Sequence, residues 1–215
     1  VAPTWIFDLD NTLHDAGHGI FPHINQCMTT YMMRHLAIGE TEADALRQYY
    51  WRRYGATLKG LVLHHGVNPQ HFLRETHPMA ELAQWLQLES GLAELMRKLP
   101  GEKIVLSNGP THYVEDILCR MGVAHCFSAA FGMERLRYRP KPHAQAYWSV
   151  LARHRLNPRH CIMVEDSLEN LRAAKVLGMK TVWIARARQR PSFVDARITR
   201  LNQLLRLPQL AAPMP

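Results

Sequence analysis

A chain of 215 residues, 47% of them apolar, can bury one sizeable core, or one core plus a smaller appended unit, and is too apolar for a disordered segment. Its formal net charge of +8 suits anionic partners, but the basic residues are dispersed apart from Arg186, Arg188 and Arg190 in "ARARQRP". No aromatic-studded basic strand, no helix-turn-helix pattern and no apolar run near the ~20 residues that cross a bilayer stand in the sequence, so nucleic acid and membrane are excluded as expected partners.

The first apolar run, "TWIFDL", ends in two acids, Asp8 and Asp10, with Leu9 between them. From about residue 16 to residue 90 no strand pattern occurs. "INQCMTTYMMRHLAI" and "TEADALRQYYWRRYG" read as amphipathic helices broken at Gly39 and Gly55, and "NPQHFLRETH" and "MAELAQWLQL" as two more. "KIVLSNG" (103–109) is a second buried strand, followed by a helix that starts at Pro110 and Thr111 and stops at Gly122. "HAQAYWSVLARHRL" reads as a helix, "HCIMVED" as a third strand, and "SLENLRAAKVLGM" as a helix with Leu168, Leu171, Ala174 and Leu177 on one face, ended by Gly178. "KTVWIA" is a fourth strand. "ITRLNQLLRL" is a short helical candidate, and the Pro-rich end beyond it is expected to fray.

Strands alternating with helices imply an α/β fold: a Rossmann-like parallel sheet flanked by helices, with a helical unit inserted after the first strand. The expected division is a core of residues 1–15 and 91–215 and an inserted unit of residues 16–90. No secretory leader pattern opens the sequence, and Cys27, Cys119, Cys126 and Cys161 include no C-x-x-C pair and no zinc-type spacing. A cytoplasmic protein with reduced, mostly buried thiols is therefore expected, as a monomer or homodimer.

In open parallel sheets ligands bind at the carboxyl ends of the strands. Those ends carry Asp8, Asp10 and Thr12, then Ser107 and Asn108, then Glu165 and Asp166 with Asn170 one turn on, while "RYRPKPHA" offers Lys141 between Pro140 and Pro142. Taken singly each has a plain explanation. The acids form turns or cap a helix, Ser107 turns the chain, and Lys141 is a solvated lysine. Clustered carboxylates raise one another's pKa unless a cation intervenes, and an all-oxygen donor set points to Mg²⁺. The lysine and hydroxyl suit a phosphate group.

"DLDNTL", "LSNG", "RPKP" and "VEDSLENLRAAKVLGM" resemble, in order, the four motifs of the haloacid dehalogenase-like hydrolase superfamily. The resemblance implies that Asp8 is a nucleophile forming an aspartyl-phosphate and that Asp10 is the general acid and base. It implies that Thr12 holds their loop, that Ser107 and the Asn108 N–H bind the phosphoryl group, and that Lys141 neutralises charge. Mg²⁺ would sit on Asp8, Asp166 and the Asp10 carbonyl, with Glu165 and Asn170 orienting waters around it. Asn170 departs from the acid many relatives carry there. Dehalogenases of the superfamily need no acid at the position of Asp10, because halide leaves without a proton, so phosphoryl transfer is expected.

The inserted unit resembles the superfamily's cap, which contacts the leaving group. "YYWRRYGATLKGLVLHHGV", "HGIFPHI" and "VEDSLENL" are similar to the pyrimidine 5′-nucleotidase branch, which implies a nucleoside monophosphate of the UMP or CMP type as substrate. Tyr54, His64, His14, His18 and Phe21 are then the candidate leaving-group contacts, although tyrosines at helical spacing also suit simple packing. The alternatives are a sugar-phosphate or phosphoglycolate phosphatase, a phosphomutase on the same scaffold, or a phosphate-sensing protein that has lost catalysis.

Overall fold

A computed structural model describes residues 2–87, 90–207 and 210. The chain divides into two compact units, one made of Val1–Asp15 and Gln87–Pro215, the other of Ala16–Leu86.

Strand β1 (Thr4–Phe7) opens the first unit and is buried along its whole length. The second unit is all helical: α1 (Ile20–Leu36), α2 (Glu40–Tyr54), α3 (Thr57–His65), α4 (Pro69–Thr76) and the short α5 (Met79–Leu82). The first unit then resumes with α6 (Leu92–Lys98), β2 (Lys103–Leu106), α7 (Thr111–Arg120), β3 (Ala129–Phe131), α8 (Ala144–His154), β4 (Cys161–Glu165), α9 (Leu168–Val176), β5 (Lys180–Ile184) and β6 (Ala196–Ile198).

The six strands run parallel in the order β3-β2-β1-β4-β5-β6. Strand order reverses beside β1, so the crevice above the carboxyl ends of β1 and β4 is the place where such a sheet receives a ligand. On one face Ile6, Ile104, Leu106 and Met163 pack with Tyr147, Val150 and Leu151 of α8 and Leu171 and Ala174 of α9. Each large side chain buried there contributes about 1.5–3 kcal/mol. On β1 itself Trp5 and Phe7 are also buried, with Trp5 Nε1 donating to the Pro100 carbonyl at 2.9 Å. Burial on both faces explains why the strand is a continuous apolar run rather than an alternating one.

The four strands expected from apolar runs are present. The edge strands β3 and β6, three residues each, were too short to show a period. "MAELAQWLQL" is one helical turn followed by a 3₁₀ turn at Ala83–Trp85, and "ITRLNQLLRL" splits between β6 and a 3₁₀ helix at Leu201–Arg206. Gly39 does not end α1: Ala37 does so, in the left-handed conformation (φ 55°), and Gly39 precedes α2. Within α3, Gly60 is a packing residue, since a Cβ there would lie 2.2 Å from the Tyr50 ring of α2. The thiols are free but not mostly buried: Cys161 is buried, Cys27 and Cys126 are half-buried and Cys119 is exposed, because α7 turns that position outward. Among the described residues no helix is long and apolar enough to cross a membrane. The Pro-rich end expected to fray lies outside the described residues.

Candidate active site

Asp8 directly follows β1, and its N–H donates to the Val164 carbonyl of β4 at 2.9 Å, so the ladder continues into the site. The chain then tightens. Leu13 N–H donates to the Leu9 carbonyl at 2.8 Å, and Asn11 adopts φ 58°, a left-handed conformation that asparagine tolerates better than most residues. This turn keeps Asp8 and Asp10 together at the end of the strand.

Lys141 is the electrostatic centre. It is 2% exposed, and its Nζ donates to Asp8 Oδ1 and to Glu165 Oε2, each at 2.7 Å. Its position is fixed by Asn108. The Asn108 Nδ2 donates to the Lys141 carbonyl at 3.0 Å, and the Lys141 N–H donates to Asn108 Oδ1 at 2.8 Å. A side-chain amide carries a donor and an acceptor on separate atoms, so it can bond both the C=O and the N–H of one backbone residue. The sequence reading gave Asn108 only its backbone N–H. The clamp joins loops far apart in sequence, and no local pattern signals it.

Glu165 is completely buried, and its two oxygens are engaged. Oε1 accepts from the N–H groups of Asp166 (3.2 Å) and Ser167 (3.1 Å), while Oε2 accepts from Lys141 and from Asn170 Nδ2 at 3.1 Å. It is the counter-ion that shares Lys141 with Asp8, a contact beyond the water-orienting role expected of it. Asn170 supports that pair, a use for its amide that an acid could not fill, since a carboxylate has no N–H to give Glu165. Ser167 caps α9, accepting from Asn170 N–H at 3.5 Å, and leaves Asp166 free of that task. The Trp183 indole N–H donates to the Asp166 carbonyl at 2.8 Å and anchors the loop.

Ser107 is fully buried after β2, and its Oγ accepts from Gly109 N–H at 2.9 Å. Gly109 has no room for a side chain, because a Cβ would come within 2.8 Å of the Tyr113 ring. That close approach places Tyr113 OH 2.5 Å from Asp10 Oδ1, to which it donates. Tyr113 was not singled out from the sequence. Its place in the first turn of α7, directly after "LSNG", is the signal that could have found it.

Charge in this site is unevenly balanced. Burial works against the Lys141 ammonium, but Asp8 and Glu165 more than offset it and hold its pKa above the ordinary lysine range. Burial likewise opposes the Glu165 carboxylate, and Lys141 outweighs it, leaving Glu165 below its usual range. Asp8 keeps the opposite balance: burial, then the charge of Glu165, raises it well above the usual range despite Lys141. Asp166 is pushed up to about 7 by burial and by Glu165. The site thus holds more carboxylates than its one lysine can neutralise.

A cation fits that excess. One ligand atom each from Asp8, Glu165 and Asp166 lies within 4.8 Å of the others. Since the Glu165 oxygens are already engaged, Asp8 and Asp166 are the pair suited to hold an ion, and oxygen donors favour Mg²⁺.

The remaining expected residues divide between the two units. The His14 side chain is fully buried with Nε2 3.2 Å from Asp10 Oδ1, a close approach without hydrogen-bond alignment, and Nδ1 has no hydrogen-bond partner among the described residues. Thr12 is buried, and its hydroxyl also lacks a hydrogen-bond partner among the described residues, while its backbone N–H, 3.3 Å from the Leu9 carbonyl, serves the turn. In the helical unit, Tyr54 OH lies 2.6 Å from His64 Nε2 and Tyr50 OH 2.7 Å from His65 Nε2. The adjacent histidines His64 and His65 thus both reach tyrosines of α2. Tyr54 OH and His64 Nε2 are engaged with each other. His18 is exposed in the turn before α1, and Phe21, in the first turn of α1, is 37% exposed.

A family model described as haloacid dehalogenase-like hydrolase matches residues 5–184. Hexitol phosphatase B of Escherichia coli K12 is 30% identical over 102 residues, 46% of this chain and 46% of that protein, so the match spans about half the length of that relative. The 6-phosphogluconate phosphatase of Escherichia coli K12 is 25% identical over 212 residues, 95% of this chain and 92% of its own. Among solved structures, a HAD phosphatase from Thermococcus onnurineus has the same fold, with a TM-score of 0.69 at 21% identity, covering 95% of this chain and 97% of that one.

Proposed function

The chain belongs to the haloacid dehalogenase-like hydrolase family, and we propose that it hydrolyses a small phosphomonoester of a polyol, sugar acid or hydroxy acid through an aspartyl-phosphate on Asp8. The observation that carries the reading is the Lys141 ammonium held between Asp8 and Glu165, beside a second acid, Asp10, that is held by Tyr113 instead. One acid is tied to a cation and the other to a neutral hydroxyl, which suits a division of labour between attack and proton transfer.

In this reading an Asp8 carboxylate oxygen attacks phosphorus and the ester P–O bond breaks. The departing alkoxide takes the proton of the Asp10 carboxyl group. A water then attacks phosphorus, Asp10 accepts its proton, and the bond to Asp8 breaks to release inorganic phosphate. Lys141 holds the Asp8 side chain in place and offsets its charge, while Ser107 and Asn108 line the phosphoryl position at the end of β2. Asp8 and Asp166, with the Asp10 carbonyl, would hold Mg²⁺. When bound, the ion would neutralise negative charge on the carboxylates and on the phosphoryl oxygens. The helical unit Ala16–Leu86 takes the part of the family's cap.

Relatives named for hexitol phosphates and 6-phosphogluconate favour this substrate class over the pyrimidine nucleotide expected from the sequence. The pairing of Tyr54 with His64 also weakens the case for those two as readers of a base. The test is kcat/KM with Mg²⁺ for a hexitol 6-phosphate, 6-phosphogluconate, phosphoglycolate and UMP. We expect one of the first three to exceed UMP by about 10²-fold or more. Preference for UMP would restore the nucleotidase reading, and no turnover of any ester would end the phosphatase reading.

A further inference from the structure

The helical unit carries a second group of metal-binding side chains unrelated to the acids of the sheet. His23 and Cys27 stand four residues apart on α1 and so share one face of that helix. Glu81 reaches them from α5. One ligand atom from each, an imidazole nitrogen, the Cys27 sulfur and a carboxylate oxygen, lies within 4.8 Å of the other two, and His23 Nε2 is already 2.8 Å from Glu81 Oε2. We propose that His23, Cys27 and Glu81 form a site for a divalent transition-metal ion of the zinc class, with a fourth position open to water.

The geometry supports this in three ways. Bonds of about 2.0–2.3 Å in a tetrahedron place donors roughly 3.2–3.7 Å apart, so small rotamer changes convert the present cluster into a ligand set. A plain His–Glu ion pair accounts for two members but gives no reason for the thiol to join them. The side chains of His23 and Glu81 are 25% and 58% exposed, which leaves an ion a path in and room for a water ligand. The mixed nitrogen, sulfur and oxygen donors also select against Mg²⁺, which suits the all-oxygen pair Asp8 and Asp166. Each site thus prefers a different ion. Spacing along the sequence could not show the cluster, because its third member comes from a helix near the far end of the unit.

Cobalt(II) is the probe, added to chelator-treated full-length protein with Mg²⁺ in large excess so that the oxygen site is filled. The expected result is one equivalent of tetrahedral cobalt with a sulfur-to-cobalt charge-transfer band, displaced by zinc. At a hundredfold excess over Kd, zinc should raise Tm by roughly 5–10 °C. Cys27→Ser should abolish the charge-transfer band. Loss of even an outer partner of a ligand costs about 10–100-fold in metal affinity, so Glu81→Gln should weaken cobalt binding by at least tenfold. Absence of the band in the wild-type protein overturns the proposal whether or not the variants fold. A band undiminished in Cys27→Ser also overturns it, since the metal would then sit on Cys119, Cys126 or Cys161 of the other unit.

Discussion

Around Lys141 the charged atoms are shut away from water, whereas around His64 the same kinds of polar contact lie at the surface. Both regions bring together side chains from separate elements at hydrogen-bond distance. They differ in what happens when a contact is lost. Water can replace the partner of His64, so that contact is worth a fraction of a kcal/mol to about one. Nothing can replace the partner of a buried ammonium, so each member of the Lys141 group is fixed by the others. Burial, more than contact distance, therefore separates side chains whose geometry is dictated from those with freedom to rearrange.

The largest effect should follow from the smallest change. Asp8→Asn replaces one oxygen by an amide and removes the proposed nucleophile without altering volume. Phosphate release should fall by about 10⁴-fold or more, with the circular dichroism spectrum unchanged. Retained turnover would make the buried cluster a structural device only.

Lys141→Met asks how strongly that cluster depends on its cation. Removing one partner of a buried ion pair costs about 3–5 kcal/mol, because Asp8 and Glu165 are left facing each other. Denaturant unfolding should register this loss, and adding Asp8→Asn in the same chain should recover part of it. A cost below about 1 kcal/mol would mean that water reaches the site and that the contrast with His64 does not hold.

The same contrast explains what could be read from the sequence. Strands β1, β2 and β4 are buried along their length and β5 in part, so their apolar runs were unmistakable, and the acids and serine that follow β1, β2 and β4 stood out against them. The edge strands β3 and β6 are too short to carry a period. Roles that depend on contacts across long sequence distances were invisible: the Asn108 clamp on Lys141, the Tyr113 hydroxyl on Asp10, and the use of Glu165 as a counter-ion. The surroundings of His14 were hidden for a related reason: the turn at Leu9–Leu13 folds it inward beside Asp10, which the local sequence does not signal.

A metal and pH experiment sharpens the electrostatic half of the comparison. The Asp166 carboxyl is pushed up to about 7 by burial, then by the neighbouring Glu165, above the usual aspartate value of about 3.9. Its contribution to the stability of the metal-free protein is therefore fully present below pH 4 and lost as pH rises through about 7. A bound cation favours the ionised form, so the Tm increase given by Mg²⁺ should be larger at pH 8 than at pH 6. The surface pair of Tyr54 and His64 contributes nothing to this difference, and His64→Gln should leave it unchanged. Equal Mg²⁺ shifts at both pH values would remove Asp166 from the ion's ligands.

The finest comparison changes one oxygen in each region. Tyr113→Phe and Tyr54→Phe remove hydroxyls with similarly short contacts, 2.5 Å to Asp10 and 2.6 Å to His64. Tyr113 is 1% exposed, so its loss leaves the half-buried Asp10 carboxylate without that donor. A hydrogen bond to a charged group is worth about 1.5–3 kcal/mol, and kcat should fall by about 10–100-fold with KM little changed, because Asp10 is proposed to act on the proton rather than on binding. Tyr54→Phe returns His64 to water and should change Tm by less than about 2 °C. It should change kcat/KM by less than about threefold if the hydroxyl serves only its histidine. If Tyr54→Phe instead raised KM tenfold for the preferred ester while sparing Tm, the Tyr54 hydroxyl would be a substrate contact after all. Its pairing with His64 would then be a resting arrangement, one a surface residue can leave and a buried one cannot.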